Sequence, residues 1–104
     1  MKTRLLLTAL LTLTGLARAE EFTGWLSDAK CAAAGKGGSA EHAACAKKCV
    51  EGGSPVVLVT ADGKVYKIRD QDQDKVKRHA GQKATLEGKL EGDTLSVERG
   101  HPAQ

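Results

Sequence analysis

The sequence predicts a mainly β domain with short helices, arranged as a small five-stranded barrel. Polar and apolar residues alternate with the two-residue period of a strand in three segments: 21–27, 83–90 and 94–98. Asp62-Gly63 is a strong signal for a tight hairpin turn between two further strands. Two other segments, 39–51 and 70–81, begin with a capping residue and stop at glycine, as short helices do.

The first 19 residues have the features of a secretory signal peptide. Lys2 and Arg4 precede an apolar run over 5–16, and Ala17-Arg18-Ala19 fits a cleavage site with small residues at its first and third positions. We expect cleavage before Glu20 and therefore an exported protein, periplasmic or secreted. The apolar run is too short for an ordinary transmembrane helix, so we expect no stable membrane insertion after cleavage.

Cleavage changes the charge and leaves a single small domain. It removes three of the 16 basic residues, so 13 basic residues balance 13 acidic ones and the net charge falls from +3 to 0. We expect one domain over 20–100, a frayed tail over 101–104, and a monomer. A neutral surface with one Phe, one Trp and one Tyr disfavours nucleic acid as a partner, because that role needs clustered cations or stacking aromatics.

The first predicted strand, 21–27, places Phe22, Gly24 and Leu26 on one face. Trp25 lies on the opposite face, which is otherwise polar. We expect Trp25 to pack under the following helix, and the alternative is that it stacks on a bound ligand. Glycine and alanine dominate residues 32–40, which predicts a flexible loop after this strand.

The helix predicted over 39–51 carries the most chemistry in the chain. His42, Cys45 and Cys49 stand at positions i, i+3 and i+7, so they fall along one stripe of the helix. Gly52-Gly53 follows and ends the helix. The third cysteine, Cys31, lies just after the first strand.

The rest of the chain predicts two hairpins joined by a short helix. Strands over 56–60 and 65–69 form the first hairpin, the helix over 70–81 follows, and strands over 83–90 and 94–98 form the second. We expect the core to include Leu26, Val57, Val59, Ile68, Leu86, Leu90, Leu95 and Val97.

The order of these elements indicates a particular barrel. Without the cysteine helix, the chain has five strands with one helix between the third and the fourth, which is the order of an OB-fold. Gly24 and Gly88 suit the sharp bends of such a small barrel. The sequence therefore predicts an OB-like barrel with a cysteine-bearing helical insertion between strands 1 and 2.

Four motifs span nearly all of the expected mature chain. They are Gly24-Trp25-Leu26-Ser27-Asp28 with Cys31, His42-x-x-Cys45-x-x-x-Cys49, Asp62-Gly63-Lys64-Val65-Tyr66-Lys67-Ile68, and His79-Ala80-Gly81 with Thr85-Leu86-Glu87-Gly88. Together they resemble a family of small exported bacterial proteins of unknown function. The resemblance implies export and a small β-barrel, and it implies no activity, substrate or cofactor.

Three cysteines in an exported chain predict one disulfide and one remaining thiol. Cys45 and Cys49 are four residues apart on one helix, which keeps their Cβ atoms beyond bridging distance, so Cys31 must pair with one of them. We expect a Cys31–Cys45 bridge, because Cys45 lies nearer the middle of the helix. Cys49 would be the free thiol, open to solvent, with its pKa lowered by Lys48 and raised by the helix C-terminus.

A metal site is the alternative for the same residues. Cys31, His42, Cys45 and Cys49 form a Cys₃His set, which suits tetrahedral zinc, and soft thiolates equally suit Cu(I). A thiol enzyme is disfavoured, because the chain has neither a Cys-x-x-Cys pair nor an evident base beside a nucleophile.

The predicted function is a non-enzymatic binding or interaction module, with the cysteine region stapled to the barrel. It has no catalytic residue and no cofactor, and nothing in the sequence specifies its ligand or partner. The alternative function is a metal-binding protein of the cell envelope, with zinc or copper held by the Cys₃His set.

Overall fold

Between residues 19 and 103, the part of the chain that the structure describes, five strands form one sheet that closes into a barrel. The structure is a computed structural model, and the expected signal peptide lies outside the described residues except for its last residue. The strands are β1 (Glu20–Asp28), β2 (Val56–Val59), β3 (Val65–Ile68), β4 (Lys83–Glu91) and β5 (Thr94–Pro102). Their order around the barrel is β1-β2-β3-β5-β4. Neighbouring strands are antiparallel except β3 and β5, which run parallel.

Short helices connect the strands. Helix α1 (Ala29–Ala33) follows β1 directly, and helix α2 (Ala43–Glu51), which begins after a 3₁₀ turn at Ala40–His42, precedes β2. Helix α3 (Gln73–Val76) lies between β3 and β4, with a 3₁₀ turn on each side of it: Asp70–Asp72 and Lys77–His79. The prediction of a mainly β fold with short helices is confirmed.

Strand β5 is longer than the sequence predicts. His101 and Pro102 pair with Thr85 and Ala84 of β4, so the frayed tail expected from residue 101 is wrong for these two residues. The start of β4 supplies their backbone partners. The sequence gives no sign of this extension, because Glu98-Arg99-Gly100 interrupts the alternation of apolar and polar residues.

The main core contains side chains from every strand and from the helical segments. Leu90, expected in the core, is only partly buried and packs against it, together with Phe22 and Tyr66. The buried members are Leu26, Val50, Val56, Leu58, Ile68, Val76, Ala80, Ala84, Leu86, Leu95 and Val97.

Strand β2 is buried on both faces, and the sequence assigned the wrong face to the main core. Val56 and Leu58 belong to that core, whereas Val57 and Val59 form a separate cluster with Ala32 of α1. Val57 and Val59 are therefore buried as predicted, but beneath α1. Four successive apolar residues show no alternation, so the pattern cannot tell which pair faces the barrel interior.

Two glycines allow close backbone approach in the barrel. The register of β4 against β5 shifts between Glu87 and Gly88, which marks a bulge. A Cβ atom on Gly88 would overlap the carbonyl oxygen of Ser96, and one on Gly24 would overlap that of Val59. Both positions therefore exclude a side chain.

The side-chain amide of Gln73 forms hydrogen bonds with backbone groups of β2 and β3. Its Oε1 atom accepts a hydrogen bond from the Val56 N–H at 2.9 Å. Its Nε2 atom donates to the carbonyl oxygens of Val56 and Ile68, each at 3.1 Å. One amide group thus joins α3 to two strands.

Asp72 connects the turn before α3 to β5. The buried carboxylate accepts a hydrogen bond from the Val97 N–H at 2.9 Å and pairs with Lys75 Nζ at 3.0 Å, while Lys75 donates to the Val97 carbonyl at 2.8 Å. Burial raises the pKa of Asp72, but the hydrogen bonds from Val97 and Lys75 outweigh it, so the pKa is lowered. Asp72 is therefore a buried, charged group with a partner for each oxygen.

We expect Leu86→Ala to lower the free energy of unfolding by about 2–5 kcal/mol, because Leu86 is buried in the barrel core. Leu90→Ala removes the same atoms from a partly exposed site of the same strand, so its cost should be smaller. Urea unfolding of both variants measures the difference. Equal losses would contradict the burial of β4 described above.

We expect Asp72→Ala to cost about 1–3 kcal/mol at neutral pH, because it leaves the buried Val97 N–H without an acceptor. Asp74→Ala is the matched control, since Asp74 is exposed on the same segment. Folding lowers the pKa of Asp72 below its value of about 4 in the unfolded chain. The contribution of the Asp72 carboxylate to the free energy of unfolding is therefore complete above about pH 4 and is lost as the pH falls through the pKa of the folded state. Unfolding measured from pH 7 downward should therefore show a smaller acid-induced loss in Asp72→Ala than in the parent, and equal losses would contradict this.

Candidate functional site

Asp28, the last residue of β1, begins the candidate site. Its Oδ2 atom accepts hydrogen bonds from the backbone N–H of Lys30 at 3.0 Å and of Cys31 at 3.2 Å, which is an N-cap for α1. The Ser54 hydroxyl donates to the same oxygen at 3.3 Å. Asp28 therefore joins three segments and holds Cys31 in the first turn of α1.

Helix α2 supplies the other two thiols. Ala46 and Val50 are buried, and Cys45 and Cys49 each precede one of them, so the thiols lie at the edge of the packed face. The start of α2 lies close to Gly81, where a Cβ atom would stand 2.7 Å from the Ala43 carbonyl oxygen. This close packing fixes α2 against the segment that precedes β4.

The three thiols converge. The Sγ atoms of Cys31, Cys45 and Cys49 all lie within 4.8 Å of one another, and those of Cys31 and Cys45 are 3.7 Å apart. The expected disulfide pair is thus in contact, but 3.7 Å exceeds the S–S bond length of about 2.05 Å, so the bridge stays a prediction. His42 is half-buried at the start of α2 and does not belong to the converging group.

The sequence predicts that Cys49 is the thiol of α2 more open to solvent, and this prediction is wrong. Cys45 is exposed and Cys49 is half-buried. The chain turns back after the helix, and Ser54 N–H donates to the Cys49 carbonyl at 3.0 Å, so the segment before β2 lies beside Cys49. The glycines after α2 therefore do not open this end of the helix to solvent at Cys49.

Asp28 also acts electrostatically on Cys31 and Cys49. Burial raises its pKa, but hydrogen bonds from Cys31, Lys30 and Ser54 outweigh burial and the pKa is lowered, so the carboxylate is charged at neutral pH. Interaction with this carboxylate, together with burial and the neighbouring Cys45, raises the pKa of Cys31 to about 12. Burial, and then the charge of Asp28, raises the pKa of Cys49.

Two buried oxygens beside the thiols have no hydrogen-bond partner among the described residues. They are Asp28 Oδ1 and Ser27 Oγ, and both residues are at most 1% exposed. Gly37 lies directly over Ser27, since a Cβ atom at residue 37 would overlap the Ser27 hydroxyl. The charge of Asp28 therefore acts on Cys31 and Cys49, whose pKa values it raises.

Trp25 is half-buried, on the opposite face of β1 from Leu26. Its backbone pairs with Val59 of β2 and with Lys83 of β4, so it stands where β1 changes partners. Ligand stacking by Trp25 stays a prediction.

Comparison with known proteins assigns no family to this chain. No protein-family model matches it, and neither a curated protein nor a solved structure is similar enough to match. Among residues 19–103, no helix is both long enough and apolar enough to cross a membrane. The site is therefore interpreted from its own geometry.

Sequence reasoning found the three cysteines and missed Asp28 and Ser54. Aspartate directly before an Ala-Lys-Cys-Ala segment is a local N-cap signal, and it could have predicted α1. The contact of Ser54 with Asp28 joins residues 26 apart in sequence, and no local pattern carries that information.

We expect Cys45 to react first with iodoacetamide at pH 8, because it is exposed and the pKa values of Cys31 and Cys49 are raised. Asp28→Asn should keep the N-cap and speed alkylation of Cys31, since it removes the charge that raises the Cys31 pKa. Ser54→Ala is the matched control, because it removes a contact of Asp28 without removing its charge. Mass spectrometry of peptides over time gives the rates, and a Cys31 rate unchanged in Asp28→Asn would contradict the assigned cause.

Proposed function

We propose that this chain is an exported, non-enzymatic protein that binds a soft metal ion, with Cu(I) held as thiolates by Cys31, Cys45 and Cys49. The convergence of all three Sγ atoms within 4.8 Å is the observation that carries the proposal. A disulfide explains the position of two thiols, whereas a metal ion explains all three. Thiolates are the ligands that favour Cu(I) in proteins.

The number of donors favours Cu(I) over zinc. Structural zinc sites take four protein ligands, and the converging group offers three because His42 is outside it. Zinc could still bind to the three thiolates with a solvent molecule as its fourth ligand. Comparing the affinities of Zn²⁺ and Cu(I) distinguishes that site from a copper site. The Asp28 carboxylate and the N-cap that it forms hold the Cys31 backbone in place, and its negative charge favours a bound cation.

The second candidate is a structural staple, with a Cys31–Cys45 disulfide and a free Cys49. The 3.7 Å contact between these two sulfur atoms favours it over a Cys31–Cys49 pairing. In this case the chain is a binding or interaction module whose ligand lies elsewhere. In this second case the raised pKa of the free thiol, Cys49, supports a non-enzymatic role, because little reactive thiolate exists at neutral pH.

We also propose that the barrel is OB-like and that α1 and α2 form an insertion between its first two strands. Three features support this assignment: the strand order β1-β2-β3-β5-β4, the parallel pairing of β3 with β5, and a helix between β3 and β4. Export, and membership of the family of small bacterial proteins that the motifs resemble, are proposals that rest on the sequence. The neutral mature chain is proposed to act as a monomer without nucleic acid.

We expect the reduced mature protein, Glu20 to Gln104, to bind one equivalent of Cu(I) in competition with a chromogenic chelator under anaerobic conditions. Each single variant, Cys31→Ser, Cys45→Ser and Cys49→Ser, removes a ligand and should weaken binding by more than the roughly 10–100-fold typical of residues behind the ligands. His42→Ala is the control and should bind like the parent.

Three other results would overturn the copper proposal. Tighter binding of Zn²⁺ than of Cu(I) would assign the site to zinc. Equal affinity of Cys49→Ser and the parent would remove the third thiol from the site. One alkylated thiol and a Cys31–Cys45 linked peptide in protein purified from the exported fraction, with no bound metal, would assign the cysteines to the staple.

A further inference from the structure

A cleft of about 330 Å³ lies between the helical segment before β4 and the paired ends of β4 and β5. None of the three thiols lines it, so it is separate from the candidate site. Its apolar lining includes Leu26, Val76, Ala84, Leu86 and Val97, which all belong to the main core. The volume lies within the range of small-molecule sites, which combine an apolar lining with a few polar groups.

Two small residues, Ala84 and Gly100, line the cleft beyond the point where the helical segment is attached to β5. Asp72 and Lys75 attach the helical segment to β5 at Val97, and past that residue β5 pairs only with β4. Across the two strands there, Ala84 pairs with Pro102 and Leu86 pairs with Gly100, so each pair contains one small residue. A Cβ atom on residue 100 would stand 2.7 Å from Leu86 Cδ2, so any side chain at residue 100 would crowd Leu86.

Cations outnumber anions on the rim of the cleft. Lys75, Arg78 and Arg99 line it, against one carboxylate, Glu98. Lys75 is paired with Asp72 at 3.0 Å and Arg99 with Glu87 at 3.3 Å.

Arg78 differs from the other two cations of the rim. It is exposed and forms no salt bridge with any residue between 19 and 103. His79 and His101 add two polar imidazoles to the same rim. The guanidinium of Arg78 is therefore the cation that is available to a ligand at this cleft.

We propose that this cleft binds a small amphipathic carboxylate, with its aliphatic chain on the apolar lining and its carboxylate on Arg78. Arginine presents paired N–H donors that match the two oxygens of a carboxylate. The chain contacts the apolar lining, and Arg78 selects for the acid over neutral molecules of the same shape. This proposal is independent of the metal site.

Three compounds test the apolar contact and the carboxylate contact separately: octanoate, 1-octanol and acetate. Each is titrated into the ¹⁵N-labelled mature protein, and the amide chemical shifts are measured. We expect saturable octanoate shifts at the amides of residues 78, 84 and 100. Binding of 1-octanol should be about tenfold weaker, because it lacks the charge-assisted hydrogen bonds, and acetate should cause no saturable shift.

Two variants on one helical segment test the role of Arg78. Arg78→Gln should weaken octanoate binding about tenfold and remove the preference over 1-octanol. Lys77→Gln is the matched control, because Lys77 is a neighbouring exposed cation outside the cleft, paired with Asp74 at 3.5 Å. Equal effects of the two variants would show general attraction to cations and overturn the site.

Ala84→Leu tests the apolar lining, because the larger side chain fills the cleft. It should abolish octanoate binding while the thermal unfolding transition remains cooperative. Should this variant not fold, Arg78→Gln against Lys77→Gln decides the proposal alone. Octanoate shifts that do not saturate, or that cluster away from residues 78, 84 and 100, would also overturn it.

Discussion

Closure of the sheet between β3 and β5 is the constraint on which the rest of the structure depends. Only two residue pairs, Lys67 with Thr94 and Ile68 with Leu95, form this parallel contact. Asp72 and Gln73, which follow β3, add side-chain hydrogen bonds to β5 and to β2 and β3. A carboxylate and an amide therefore support the part of the barrel with the least backbone pairing, and both are fully hydrogen-bonded, as buried polar groups require.

The thiol site depends on a second buried carboxylate in the same way. Asp28 ends β1, caps α1 and accepts a hydrogen bond from Ser54, so a single side chain fixes the relation between the strand and the helices that follow. Its hydrogen bond and its charge also raise the pKa of Cys31. The position and the chemistry of the site thus come from one residue.

The sequence predicted what depends on local patterns. Alternation located β1, β4 and β5, Asp62-Gly63 located the hairpin of β2 and β3, and the glycines after Glu51 located the end of α2. It missed α1, because a five-residue helix has too few positions for a periodic signal. It also assigned Val57 and Val59 to the wrong cluster, since a continuous apolar run is consistent with either face.

The thiols of the site were predictable, whereas its other members and its geometry were not. The three cysteines were identified from their number and spacing, and the structure brings all of them together. Their relative exposure depends on how the chain returns past Ser54, and the contacts of Asp28 with Ser54 and of Asp72 with Val97 join residues 25 or more positions apart. Such tertiary contacts leave no trace in a local pattern.

The division of β1 between two partners has a consequence for folding during synthesis. The half from Trp25 to Asp28 pairs with β2, which is synthesised soon afterwards. The half from Glu20 to Trp25 pairs with β4, so Glu20 cannot form its pair until Gly88 has been synthesised. Half of the first strand therefore stays an unpaired edge until almost the whole chain exists. Such long-range pairing slows folding and favours a barrel that forms as one unit after synthesis.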